Sequence, residues 1–144
     1  MKHCRTACAI LICVVLSACA TPYQSPGFTG GVIARKDADG TWLILAAGNG
    51  HTTVEAISDY TYLKAAETVK AQGFVCFDIV GEYAALREET IPSQYGSNTF
   101  LKPEGRLRIR IREDNPSCDE KTNADALIAR LGPKVKDPKA YPFR

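Results

Sequence analysis

The chain has 144 residues, a length that suits one small domain with a single hydrophobic core. Its formal charge of +2 arises from 18 basic and 16 acidic side chains, and two of the basic ones, Lys2 and Arg5, lie at the very start. Without these two, 16 basic side chains balance 16 acidic ones. The composition therefore gives no reason to expect nucleic acid as a partner.

Residues 1–18 have the pattern of a secretory signal peptide. Lys2 and Arg5 supply a positive start, and residues 7–15 form an apolar run. This run is too short to span a bilayer, which needs about 20 apolar residues, and it fits the apolar region of a signal that is removed. The run leads into Leu16-Ser17-Ala18-Cys19, which resembles the lipobox of bacterial lipoproteins.

The lipobox resemblance implies that Cys19 carries a diacylglyceryl group, that the chain is cut before it, and that the new amine is acylated. Three acyl chains would make attachment to a membrane effectively permanent. Residue 20 is Ala rather than the Asp that retains enteric lipoproteins on the inner membrane. This favours the outer membrane, with the domain facing the periplasm. The alternative is an ordinary secretory signal followed by a coincidental cysteine.

The predicted signal leads to an oxidising compartment, where disulfides persist. Of the six cysteines, three lie in the predicted signal and Cys19 is the predicted lipid site, which leaves Cys76 and Cys118. A disulfide between them would close a loop of about 43 residues and contribute about 4 kcal/mol on the chain-entropy model. The alternative is a pair of independent thiols, one of them buried as a small hydrophobe.

The first part of the mature chain predicts a tether and a hairpin. Residues 19–31 have no helical or strand period and are punctuated by proline and glycine, so they are expected to space the domain off the lipid. Two apolar stretches, 32–36 and 41–47, flank turn residues 37–40. This pattern predicts a two-stranded hairpin.

The central part predicts a helix, a strand and a loop. Thr52-x-x-Glu55 fits a capping box, which places a helix over residues 53–72. A strand follows over 74–80, and its composition has high β-propensity. Residues 84–103 are predominantly polar and include Pro92, Gly96 and two further turn formers, so they predict a long loop.

The last part predicts a strand, a helix and a tail. Apolar and basic residues alternate strictly over 106–112, which indicates a strand with one buried face. Ser117-x-x-Glu120 is a second capping-box match, and Gly132-Pro133 would end the helix that follows. Residues 133–144 are expected to form an extended tail.

The predicted order of elements is β-β-α-β-β-α over residues 32–132. It indicates an α+β, two-layer domain in which a four-stranded, mainly antiparallel sheet carries both helices on one face.

Four arginines on the polar face of the 106–112 strand are the best candidate binding site. A row of guanidinium groups about 7 Å apart suits phosphate or carboxylate groups. The candidate ligands are anionic lipid, lipopolysaccharide or an acidic envelope protein. The alternative is a solvated face paired with acidic residues of neighbouring strands. The four are Arg106, Arg108, Arg110 and Arg112.

No catalytic, metal or cofactor site is predicted. His51 is the one histidine after the signal and has no partners placed by spacing. Glu55 and Asp59 share a helix face and are interpreted as a cap and a solvated face. The alternative is a carboxylate pair for acid–base chemistry or for binding a cation. Glu67 lies among apolar residues, and if it is buried it needs a partner, for which an arginine of the basic strand is a candidate.

Several short motifs together resemble a family of small proteobacterial lipoproteins named for Caulobacter members. The resemblance covers residues 19–80 and implies a lipoprotein without implying an activity. The motifs are Cys19-Ala20-Thr21-Pro22-Tyr23-Gln24, Gly27-x-x-Gly30-Gly31, Gly48-Asn49-Gly50-x-Thr52, Asp59-Tyr60-x-x-Leu63-x-Ala65-Ala66-Glu67 and Gly73-Phe74-x-x-Phe77.

These observations predict a lipid-anchored envelope protein that binds or scaffolds and is not an enzyme. The alternative is a small periplasmic hydrolase-like enzyme that uses the 84–103 loop as a lid.

Overall fold

The computed structural model describes residues 20–114, 117–137 and 139–142, so the predicted signal and Cys19 lie outside the described residues. Within these ranges the chain forms four strands and two helices. They are β1 (Gly31–Lys36), β2 (Trp42–Ala47), α1 (Val54–Ala71), β3 (Cys76–Ser93), β4 (Gly96–Arg112) and α2 (Ala124–Lys136). The predicted α+β class and element order are confirmed.

The four strands form one antiparallel sheet in the order β1-β2-β4-β3. One face of the sheet is apolar and carries the core, with Ile44, Phe77, Leu107 and Ile109 fully buried. α1 lies across this face, while α2 packs chiefly against α1. No helix of the described ranges lies over the other face of the sheet, which carries the β4 arginines.

α1 begins one residue later than the capping box predicts. Thr53 is the N-cap, and its Oγ1 accepts from the N–H of Ala56 at 3.1 Å. Thr52 does not cap the helix, because its hydroxyl accepts from the Thr21 N–H and donates to Asn49 Oδ1. The predicted stop is confirmed, since Gly73 follows the helix with φ of 85°.

The prediction of a long loop over 84–103 is wrong. β3 and β4 pair continuously from Cys76–Arg112 to Ser93–Gly96, so this segment is a β-hairpin. Both faces of its outer part are solvated, and such strands lack the alternation of apolar and polar residues that burial of one face imposes. Gly96, with φ of 132°, is paired with Ser93 across the two-residue turn.

α2 also differs from its prediction at both ends. The N-cap is Asn123, whose Oδ1 accepts from Ala126 N–H at 3.0 Å, so the Ser117-x-x-Glu120 box does not start the helix. Pro133 lies inside the helix, which continues to Lys136. Val135 beyond the proline is 9% exposed and packs in the core, and this burial favours continuation of the last turn.

Close packing of α1 on the sheet depends on Gly105 of β4. A Cβ atom there would lie 2.6 Å from Ile57 Cγ2 and 3.1 Å from Thr61 Cγ2. The absence of a side chain lets the helix approach the sheet at this point.

Candidate functional site

The described chain begins with a strap, residues 20–31, that is held against the domain. Thr21 is 1% exposed. Its N–H donates to Thr52 Oγ1 at 2.8 Å, and its carbonyl oxygen accepts from the hydroxyl of Tyr60 at 2.9 Å. Its own hydroxyl donates to the carbonyl oxygen of Thr29. The prediction of a spacing tether is therefore wrong from Thr21 onward.

The strap binds to the Gly48-Asn49-Gly50 loop. The Asn49 N–H donates to Thr21 Oγ1 at 2.9 Å. The Asn49 side-chain oxygen accepts from the His51 N–H and from the Thr52 hydroxyl, both at 3.0 Å. The loop is thus a turn with a structural role, and His51 takes part through its backbone.

A second contact of the strap involves Tyr23 and Glu67. The Tyr23 hydroxyl donates to Glu67 Oε2 at 2.5 Å, and Lys64 Nζ lies 3.7 Å from the same oxygen. Partial burial, reinforced by the neighbouring Glu67 carboxylate, raises the pKa of Tyr23. The partner of Glu67 is therefore this tyrosine, and the proposed pairing with an arginine of β4 is wrong.

The carboxylates of Glu55 and Asp59 hold the end of α2. Lys134 Nζ lies 2.8 Å from Glu55 Oε1 and 2.7 Å from Asp59 Oδ2. Tyr141 donates its hydroxyl to the same oxygen of Asp59 at 2.8 Å. Hydrogen bonds from Lys134 to Asp59 and then to Glu55 raise the pKa of the lysine. This arrangement favours a structural role over acid–base chemistry.

Sequence reasoning missed Lys134 and Tyr141 as partners of α1. Lys134 was expected at the start of a tail, and Tyr141 lay inside that tail. No local pattern places a tail against a helix 82 residues earlier in the chain.

The predicted arginine row lies on the uncovered face of the sheet. Arg110 has no ion pair within the described residues, but the other three each have a carboxylate within 4 Å. These pairs are Arg106 with Glu104 at 2.8 Å, Arg108 with Asp37 at 2.9 Å and Arg112 with Asp78 at 3.9 Å. Because acidic neighbours offset most of this charge, the geometry favours the solvated, paired face over an anion site.

Cys76 and Cys118 form a disulfide with a Cα–Cα distance of 5.9 Å, which is the bridged alternative of the two that the sequence left open. The bridge joins the start of β3 to the segment before α2. That segment also pairs with the sheet, since the Phe77 N–H donates to the Thr122 carbonyl oxygen at 3.2 Å. The start of the β3 edge is therefore covered.

The outer parts of β3 and β4, residues 86–103, project beyond the sheet as a two-stranded arm. β2 pairs with β4 only as far as Glu104, so neither edge of the arm has a strand partner within the described chain. At about 3.4 Å per residue the arm is about 25 Å long. Five large apolar or aromatic side chains on it are between 46% and 92% exposed: Leu86, Ile91, Tyr95, Phe100 and Leu101.

Charged side chains of the arm bind one another. Lys102 Nζ lies 2.6 Å from Glu89 Oε2, and Arg87 Nη1 lies 3.4 Å from Glu104 Oε2. These cross-strand pairs fix the register of the two strands. The unpaired strand edges and the apolar side chains are therefore the features that the arm offers to another molecule.

An open groove of about 600 Å³ lies between the base of the arm and the start of α1. Its apolar lining comprises Val54, Leu86, Leu101, Tyr141 and Pro142, and Thr52 and Glu55 add polar atoms. His51 and Tyr95 are not among the lining residues, and Glu55 is held by Lys134. The groups that a lid-covered hydrolase site would need do not converge here.

No helix within the described ranges is both long and apolar enough to cross a membrane. The same residues contain no group of three or more His, Cys, Asp or Glu side chains placed to bind a metal ion.

No protein-family model, curated protein or solved structure matches this chain.

Proposed function

We propose that this chain is a lipid-anchored lipoprotein of the outer membrane, facing the periplasm, which binds another envelope protein through its arm and performs no catalysis. The observation that carries the binding role is the arm itself. Mean strands have about five or six residues, whereas β3 has 18 and β4 has 17. Apart from Pro103 at its base, no side chain of the arm is buried.

Exposure of the arm has a cost that a purely structural element would avoid. Unpaired strand edges and exposed apolar side chains favour aggregation. Many proteins use such an edge to bind an extended segment of a partner, which adds to the sheet as a further strand. We infer that the partner supplies such a strand, with apolar side chains that contact Ile91 or Phe100.

Along the β3 edge, the arm suits strand addition better than the segment near the body of the sheet. Near the body of the sheet a bulge between Ile79 and Gly81 interrupts its register, and bulges hinder unwanted pairing. From Glu82 to Ser93 the pairing of β3 with β4 is regular. The regular part of the β3 edge therefore includes the whole β3 strand of the arm.

The attachment site rests on the sequence, namely the basic start, the short apolar run and Cys19. The family resemblance agrees with it. Replacement of Cys19 by Ser should abolish incorporation of a labelled fatty acid and move the protein from the membrane to the soluble fraction. Retention of the label by the Cys19→Ser variant would contradict the proposed anchor.

Shortening the arm tests the binding role. In this variant Asn-Gly replaces residues 87–102, a dipeptide that favours a two-residue hairpin turn. We expect the domain to fold with its disulfide intact, and the partner captured by chemical crosslinking in intact cells to be lost. A matched control replaces Arg108 and Arg110 by Gln, which alters the sheet face and leaves the arm intact.

If the arm-shortened protein keeps its crosslinked partner and the arginine variant loses it, the arginine row is the binding surface and the arm is not.

A further inference from the structure

We propose that the groove at the base of the arm binds one acyl chain of the lipid on Cys19, so that the domain lies directly against the membrane. This inference rests on the proposed lipid anchor. It adds a binding site for a hydrocarbon chain and a defined orientation of the domain at the membrane surface.

The first step is the short distance between the anchor and the groove. Only Ala20 separates Cys19 from the buried Thr21. Since consecutive Cα atoms are 3.8 Å apart, two peptide units span at most about 7.6 Å, so an anchor on Cys19 would be attached close to Thr21. A lipid on that cysteine therefore begins next to the domain, without a flexible spacer.

The second step is that the residues that hold Thr21 belong to the groove or contact it. The Thr21 N–H donates to Thr52 Oγ1 at 2.8 Å, and Thr52 lines the groove. Tyr60 donates to the Thr21 carbonyl oxygen, and its ring packs edge-on against Tyr141 at 6.2 Å. Tyr141 is itself a lining residue. The N-terminal end of the strap therefore lies beside this groove.

The third step is the chemistry of the lining. Leu86 and Leu101 are 52% and 51% exposed and face the groove together with Val54 and Pro142. Exposed apolar surface of this kind is unfavourable in water, and a hydrocarbon chain gains about 0.8 kcal/mol for each CH₂ group it buries. Binding one acyl chain removes both apolar surfaces from water.

The polar groups around the groove leave its floor free for hydrocarbon. Glu55 is the charged residue of the lining, and its carboxylate is bound by Lys134 at 2.8 Å. The hydroxyl of Tyr141 is bound to Asp59 at 2.8 Å, so its polar atom already has a partner. A carboxylate placed on the apolar wall would therefore disfavour binding.

Photocrosslinking from the acyl chain tests this proposal. Cells are supplied with a fatty acid that carries a diazirine and an alkyne, and the full lipoprotein is purified after irradiation. We expect the label to crosslink within the same chain, to peptides that contain Val54, Leu86, Leu101 or Tyr141. Crosslinks only to phospholipids or to other proteins, from protein that carries the label, would overturn the proposal.

Two variants and a control make this experiment specific. Leu101→Glu should lower crosslinking within the chain by about tenfold, and insertion of six Gly-Ser residues after Cys19 should lower it as well. Val80→Glu is the matched control, since Val80 is 47% exposed but lies away from the groove. Equal crosslinking in the Leu101→Glu variant and the control would contradict the groove.

The outcomes separate this proposal from the proposed anchor. Protein that incorporates no fatty acid would contradict the anchor, and the groove proposal would be overturned with it. Protein that incorporates the fatty acid but makes no crosslink to its own groove would contradict the groove alone.

Discussion

At the scale of single residues, Thr21 holds the start of the described chain against the domain. It makes four hydrogen bonds, to Thr52, Thr29, Asn49 and Tyr60. Two of the four use its hydroxyl group, in one as donor and in the other as acceptor. A single side chain thus satisfies two backbone groups that would otherwise lose their partners on burial.

Thr21→Val removes both hydroxyl bonds and leaves the shape of the side chain almost unchanged. We expect the free energy of unfolding to fall by about 2 kcal/mol, because buried partners are left unsatisfied. Chemical denaturation followed by circular dichroism measures this change. Thr90→Val on the arm is the control, since its hydroxyl is exposed and bonds only to Thr99 within the described chain; its effect should stay within about 0.5 kcal/mol. Equal effects of Thr21→Val and Thr90→Val would contradict the role of Thr21 in holding the strap against the domain.

Tyr23 makes stability depend on alkaline pH. In the folded protein its pKa is raised, by burial and by Glu67, whereas in the unfolded chain it titrates near its ordinary value of about 10. Its contribution to the free energy of unfolding is therefore complete below about pH 10 and is lost as the pH rises toward the raised value.

The Tyr23→Phe variant should lose less stability than the wild type between pH 9 and 11. Thermal unfolding followed over this range measures the difference. Tyr95→Phe serves as the control, since Tyr95 at the arm tip is 92% exposed. If Tyr23→Phe and the wild type lose stability in parallel with pH, the bond to Glu67 has no role in the folded state.

At the scale of the elements, the predictions succeeded where burial imposes a period on the sequence. α1 carries an apolar face against the sheet, and the inner half of β4 alternates because one face is buried. The arm was missed because both its faces are solvated, so Thr90, Ile91 and Phe100 give β-propensity without a period. The predictions of the helix N-caps were wrong where long-range contacts determine the hydrogen bonds. Thr52, for example, accepts a hydrogen bond from the Thr21 N–H of the strap and does not cap α1.

The contact between α1 and β4 depends on the missing side chain of Gly105. Gly105→Ala should lower the free energy of unfolding by about 1–3 kcal/mol, because the added methyl overlaps Ile57 at 2.6 Å. Gly132→Ala is the contrasting variant: nothing lies within 4 Å of its Cβ position, and alanine favours α2 by up to about 1 kcal/mol. A stabilising Gly105→Ala would contradict this close packing.

The disulfide joins the start of β3 to the segment before α2. Replacing Cys76 and Cys118 together by Ser should lower the free energy of unfolding by about 4 kcal/mol on the chain-entropy model. Denaturation of this variant and of the wild type, with and without reductant, measures the effect. Reductant should destabilise the wild type alone. A wild type that does not respond to reductant would contradict a bridge in solution.

At the scale of the whole molecule, three features project from or border one corner. The strap begins there, the arm has its base there, and the groove lies between the arm and α1. The residue motifs of the family resemblance meet in this region as well, since Thr21, Asn49, Thr52 and Tyr60 are directly bonded. Sequence reasoning supplied these residues as separate motifs, but their contacts span 28 to 39 positions and required the fold.

In this arrangement the lipid anchor and the arm have different roles. The strap and the lipid would fix one corner of the domain at the membrane, and the arm would extend about 25 Å from that corner to meet a partner. The arginine face, with three of its four guanidinium groups paired, is the less favoured surface.

Site-specific photocrosslinking in intact cells tests the binding role of the arm most directly. A photoreactive amino acid is placed at Phe100 on the arm and, in a control protein, at Val80 on the domain body, two positions of similar exposure. We expect a discrete crosslinked protein from position 100 that is absent from position 80. A crosslinked protein from position 80 alone, or none from position 100, would contradict a binding role for the arm.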